Sequence, residues 1–199
     1  IRVEGGPIKN PYDDEALAVT ATFQPPRGGK ALTVGAFYYQ PFEQARVNGA
    51  DVLKAAGEAV WKVRFTPRRI GRWSYTVSLT TPQGPQQGPG GTFDVLPSSR
   101  PGFVSVDRTR ESLRFDDGTS FLPIGENLAW GPSAQPLGAY AQWLQKLSKQ
   151  EVNYIRLWLA PWGFRLETKE TGVGRYDQQR AWQLDTLLQQ SEQLGIYWQ

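Results

Sequence analysis

Glu126 stands in PIGENLAWG, residues 123–131, where one carboxylate interrupts an otherwise apolar run. A charge in such a run costs several kcal/mol unless it is paired or wet. The chain holds no cysteine and no histidine, so it can build no disulfide, thiolate nucleophile, imidazole base or Cys/His zinc site. Acid–base work therefore falls mainly to carboxylates, and Glu126 with its neighbour Asn127 is a candidate for contacting a ligand where a strand ends. The alternative is a glutamate that points outward, capping the next loop or pairing with an arginine. Parity leaves this open: Leu122, Ile124 and Glu126 share one face of an ideal strand, and a bulge at Gly125 swaps the assignment.

The second candidate stretch is NYIRLWLAPWGFR, residues 153–165. Alternation turns Ile155, Leu157 and Leu159 toward one layer, and Arg156 and Trp158 toward the other side. A guanidinium cannot lose its proton, so it needs carboxylate partners. Those partners are either acids of a site or a structural buried pair, for which Glu126 is one possibility. Trp158 and Trp162, together with Trp130, fall near the same rim. An indole there can stack on the C–H face of a sugar, or it can fill a core.

These side chains need elements to position them. Leu17, Val19, Ala21 and Phe23 alternate with small or polar residues, as do Trp61, Val63 and Phe65, and Trp73, Tyr75, Val77 and Leu79. Turn residues close each run, TPQGPQQGPGG lies before a last short strand TFDVL, and the pattern predicts an antiparallel sandwich over 1–97. LPSSRPG, residues 96–102, marks a domain boundary. FVSVDRT and SLRFDDGTSF predict a hairpin turning at DDGT, which lacks the spaced acids of a calcium loop. From Phe121 the texture becomes strand, helix, strand, helix, strand. Tyr140, Trp143, Leu144 and Leu147 mark one helix; Ala181, Leu184, Leu188 and Ser191 mark the other, with Asp177 as its N-cap and Gly195 at its end. That alternation predicts βαβ units in a parallel sheet over 103–199. The connection over 160–176 is longer than an ordinary βα loop, which suits either recognition or a disordered surface segment.

Lys+Arg 22 against Asp+Glu 19 leaves a net charge of +3, spread along the chain without the basic block of a nucleic-acid footprint. No apolar run of about 18 residues could cross a membrane as a helix. Neither cofactor nor metal is expected. The absence of cysteine fits any compartment; an extracellular or periplasmic location is the expectation, and the cytoplasm also fits. Aromatic residues make up 13% of the chain, including eight tryptophans, a wealth of flat amphipathic surface of the kind sugar-binding proteins use.

GPIKNPYDDEALAVTATF followed by VWKVRFTPRRIGRWSYTVSL resembles a small immunoglobulin-like sandwich module of unassigned function that precedes glycosidase-like TIM barrels in many bacterial proteins. FLPIGENLAW, NYIRLWLAPWG and GRYDQQRAWQLDTLLQQSEQLGIYWQ resemble the start of such a barrel in the clan of retaining (β/α)8 glycoside hydrolases. The resemblance implies a multi-domain chain, an all-β sandwich followed by the first β/α units of an incomplete (β/α)8 barrel. It also implies a two-carboxylate mechanism on a poly- or oligosaccharide. In that clan the acid/base follows the fourth strand and the nucleophile stands on the seventh. The catalytic residues are therefore expected after residue 199, on the remainder of the barrel in the same or a complementing chain, and these 199 residues alone are expected to be inactive. Arg156 corresponds to the clan's arginine beside the nucleophile; Glu126, Asn127, Trp130, Trp158 and Trp162 are expected to meet the sugar. The competing expectation is a non-catalytic carbohydrate-binding or structural module, using rings such as Tyr38, Tyr39 and Trp73.

Overall fold

The computed structural model describes residues 9–132 and 136–199. Gly6, Pro7 and Ile8, which open the GPIKNPYDDE stretch, lie outside them. The chain is mostly β, with several small sheets and two helices among the described residues. It divides into two compact units: Ile1–Arg46, Val52–Pro97 and Arg165–Trp182 form the first, and Val47–Asp51, Ser98–Phe164 and Gln183–Gln199 the second.

The first unit is organised by a four-stranded antiparallel sheet in the order β2-β1-β7-β8, comprising β1 (Ala18–Gln24), β2 (Leu32–Gly35), β7 (Gly71–Thr81) and β8 (Gly84–Val95). Strands β3 (Phe37–Tyr39) and β6 (Val60–Lys62) pair as a separate ribbon. The alternating residues do what their period requires: Leu17, Val19, Ala21, Phe23, Trp61, Trp73 and Val77 are buried together. Phe23 stacks on Phe65 with ring centroids 4.0 Å apart. Trp73 can be fully buried because its Nε1–H donates to the Arg69 carbonyl at 2.9 Å, leaving no orphaned donor in the core. Burying each such ring contributes roughly 1.5–3 kcal/mol.

The proline- and glycine-rich stretch expected as a loop is instead most of β8. It lies at the sheet edge, where a proline deprives no neighbour of a ladder bond. Gly90 and Gly91 let it approach β7: a Cβ on Gly90 would fall 2.9 Å from the Tyr75 carbonyl, and one on Gly91 3.0 Å from the Tyr75 ring. Strands β4 (Phe42–Val47) and β5 (Ala50–Ala55) form a hairpin turned by Asn48 and Gly49, both at positive φ, as expected for an Asn-Gly hairpin turn.

In the second unit, β9 (Val104–Asp107), β10 (Ser112–Phe115) and β11 (Ser120–Phe121) form a meander. Its DDGT turn is closed internally by Asp117, which accepts from the Thr119 amide at 2.9 Å and hydroxyl at 2.7 Å. Those bonds hold the Asp117 carboxyl below its usual pKa. Next come β12 (Gly125–Asn127), α1 (Pro136–Ser148), β13 (Tyr154–Arg156), α2 (Gln178–Gln193) and β14 (Tyr197–Trp198), with the three strands parallel in the order β12-β13-β14. The alternation read from the sequence thus builds a parallel sheet.

Helix α1 buries Leu137, Tyr140 and Leu144. Its first turn is capped from far away in sequence: the Asp51 carboxylate accepts from the Leu137 and Gly138 amides at 3.1 and 3.3 Å. Helix α2 begins at the expected cap, Asp177, whose side chain accepts from the Gln179 and Arg180 amides at 2.9 and 3.1 Å. Gly195 at φ 70° ends its last turn. Its buried stripe differs from the expected one, since Leu187 and Ser191 are buried while Leu188 is 44% exposed.

Candidate functional site

Strand β12 is only three residues long, so the apolar run around it does not behave as one strand. Leu122 and Ile124 are exposed. The chain is led into β12 by Asn153, whose side chain accepts from the Ile124 amide at 2.8 Å and donates to the Leu122 carbonyl at 2.9 Å. Gly125 follows, tight against β13: an added Cβ would sit 2.3 Å from the Tyr154 carbonyl oxygen.

The register resolves the parity left open by the sequence. Glu126 is paired with Ile155, and Asn127 with Arg156. Cross-strand partners share a face, so Glu126 lies on the side of the fully buried Ile155, and Asn127 and Arg156 lie side by side on the other. An Arg156–Glu126 pair is therefore excluded by the sheet itself. Arg156 is exposed. Glu126 lines a groove of about 360 Å³ with Asn127, Leu128, Trp130 and, from α1, Trp143, Lys146 and Leu147. The α1 residues in that groove were missed as site residues, although Trp143, Lys146 and Leu147 have the i, i+3, i+4 spacing of one helix face.

The tryptophans do converge. The Trp158 amide donates to the Ala129 carbonyl at 3.0 Å, which brings the segments leaving β12 and β13 together. The Trp130 ring centroid lies 5.5 Å from that of Trp158 and 5.6 Å from that of Trp162. Gly163 fits beneath, where a Cβ would lie 3.3 Å from the Trp158 carbonyl and 3.6 Å from the Trp130 Cβ. The guanidinium of Arg156 lies 6.0 Å from the Trp158 ring, at the outer limit of a cation–π contact. All three indoles stay partly open, at 47% for Trp130, 40% for Trp158 and 56% for Trp162. They are not core residues. Leu159 is also exposed, because β13 ends at Arg156 and strand parity no longer applies beyond it.

Behind this cluster, Gly131 rests against the Tyr140 ring, where a Cβ would come within 2.9 Å of the ring's Cε2. Phe164 is buried on the same ring with centroids 5.4 Å apart. Burial pushes the Tyr140 phenol up to about 12, so it serves as a neutral donor. The site thus offers exposed indole edges and faces, an amide and an exposed guanidinium where two parallel strands end. Open α/β sheets bind ligands in that position. In the first unit, Trp73 is buried at 2% exposure, which removes it from the rings considered for a glycan-binding face there, while Tyr38 is partly buried against the core.

Residues 3–80 match the family model of a domain of unknown function, DUF5060. A search of curated proteins returned no match. Over 99% of its length the chain is similar to the crystal structure of a putative glycoside hydrolase from Bacteroides vulgatus, with a TM-score of 0.66 and 22% identity. It spans 38% of that chain. At this identity the likeness concerns the fold alone.

Proposed function

We propose that this chain is the N-terminal part of a glycoside hydrolase acting on a poly- or oligosaccharide. In this reading the first unit is an immunoglobulin-like sandwich, and β12, β13 and β14 with their two helices are the opening strands of a (β/α)8 barrel. The observation that carries the proposal is the open Trp130, Trp158 and Trp162 cluster beside Arg156 and Asn127 at the C-terminal ends of parallel strands. In a barrel of this kind functional groups stand at those strand ends. The fold likeness to a putative glycoside hydrolase supports the same reading.

The indoles stack on sugar C–H faces, and Asn127 supplies donor and acceptor to hydroxyls. Arg156 stands beside the nucleophilic carboxylate and favours its ionised form. The two reacting carboxylates belong to later strands outside these residues, about 5–5.5 Å apart for a retaining reaction. Glu126, which lines the groove with Asn127 and Trp130, is a sugar contact and not one of the two reacting carboxylates.

The test uses the complete protein on a panel of polysaccharides, with reducing-sugar release as the readout. Hydrolysis of at least one substrate, lowered about a hundredfold or more by Arg156→Ala, is expected. Full activity in the Arg156→Ala variant, or turnover by the 199-residue chain alone, contradicts the assignment. Binding without hydrolysis by the complete protein favours a non-catalytic carbohydrate-binding module.

A further inference from the structure

The long connection leaving β13 is not a disordered surface segment. The Asp177 amide donates to the Leu166 carbonyl at 2.8 Å and closes the base of a loop over 166–177. Inside it, the Thr168 amide donates to the Thr171 hydroxyl at 2.9 Å, and the Thr171 amide to the Thr168 hydroxyl at 3.1 Å. The Gly172 amide reaches the Thr168 carbonyl at 3.0 Å, and the Gly174 amide the Glu167 carboxylate at 2.8 Å. Compact loops with closed ends of this kind are frequently functional.

Internal bonds fix the loop's shape but not its placement. That comes from residues early in the chain that belong to the same compact unit. The Tyr12 hydroxyl donates to the Tyr176 carbonyl at 3.1 Å and accepts from Gln178 Nε2 at 2.7 Å. Gln178 Oε1 in turn accepts from the Gln40 amide at 2.9 Å. The Tyr12 ring meets Tyr176 edge-on at 4.9 Å and Tyr38 at 6.1 Å, and Tyr38 packs on the core Trp61 at 5.8 Å. Burial raises the Tyr12 pKa and keeps its hydroxyl neutral.

We infer that Tyr12 and Gln178 form a latch through which the first unit holds the 166–177 loop in one preformed position. A loop ordered before a ligand arrives adds no ordering cost to binding, so the latch keeps the loop preformed and not mobile. The latch is tested without any ligand.

The first measurement is native-state hydrogen exchange of the wild-type chain. The amides of Gly172, Gly174, Asp177 and Gln40 are expected to exchange at least about a hundredfold more slowly than in an unstructured peptide. Free-peptide exchange over 166–177 overturns the inference. The second compares wild type with Tyr12→Phe/Gln178→Leu, which keeps the Tyr12 ring and removes all three hydrogen bonds made by the Tyr12 hydroxyl and the Gln178 amide. Exchange over 166–177 and native tryptic cleavage after Arg175 should rise about tenfold or more, while exchange of β1 and β7 stays unchanged. Unchanged loop exchange and cleavage in the variant overturn the latch. Should the double variant fail to fold, Gln178→Leu alone is expected to raise both rates, and unchanged rates there are equally decisive.

Discussion

The Tyr140 hydroxyl donates a 2.7 Å hydrogen bond to the Leu128 carbonyl, so helix α1 holds the backbone that carries Trp130 two residues later. The bond joins a core residue to the backbone two positions before the exposed Trp130, and it makes the site sensitive to changes that no ligand would touch.

Tyr140→Phe keeps the ring and leaves the Leu128 carbonyl without its donor, at a cost of about 1–2 kcal/mol measured by urea unfolding. The folded pKa of about 12 lies above the unfolded value near 10. The stability linked to this group is therefore complete below pH 10 and is lost as pH rises toward 12. The Phe variant should show a flatter stability decline across that window. An identical alkaline decline in both proteins would assign the titration to another group.

Gly125→Ala places a Cβ 2.3 Å from the Tyr154 carbonyl, a clash with backbone that no rotamer relieves. A loss of about 2–3 kcal/mol is expected, read from the urea midpoint. A neutral substitution would mean that β12 does not pair with β13 at this register.

Asp51→Ala removes the carboxylate from the first turn of α1 and should cost about 1 kcal/mol. Asp51→Asn, which keeps an acceptor without the charge, should lose less. Equal losses for the two would locate the effect in the charge and not in the hydrogen bonds.

Trp130 touches both other indoles, whereas Trp162 touches Trp130 at the edge of the cluster. On the proposed function, Trp130→Ala should therefore weaken binding of a soluble oligosaccharide ligand more than Trp162→Ala, by about tenfold against a fewfold. Titration followed by tryptophan fluorescence distinguishes them. The reverse order would move the proposed sugar-binding surface away from Trp130.

The sequence by itself determined the periods. Val19, Ala21 and Phe23 alternate and are buried, Tyr140 and Leu144 share a helix face and are buried, and Asp177 and Gly195 bound a helix. These are local signals, set by backbone geometry and by which side chains leave water. Local signals also placed Trp130, Trp158 and Trp162 near strand ends. They could not say that the three rings meet, because the Trp158 amide to Ala129 carbonyl bond that joins them spans two segments distant in sequence.

Tertiary structure alone decided the rest. The face of Glu126 depended on pairing with Ile155, since a single-residue change of register turns every side chain over. The extended form of the proline-rich β8 depended on its place at a sheet edge. Whether the 166–177 loop was ordered depended on Tyr12, more than 150 positions away in the chain. Composition reports what a segment can do alone. Which neighbour satisfies its polar groups is settled only when the chain is folded.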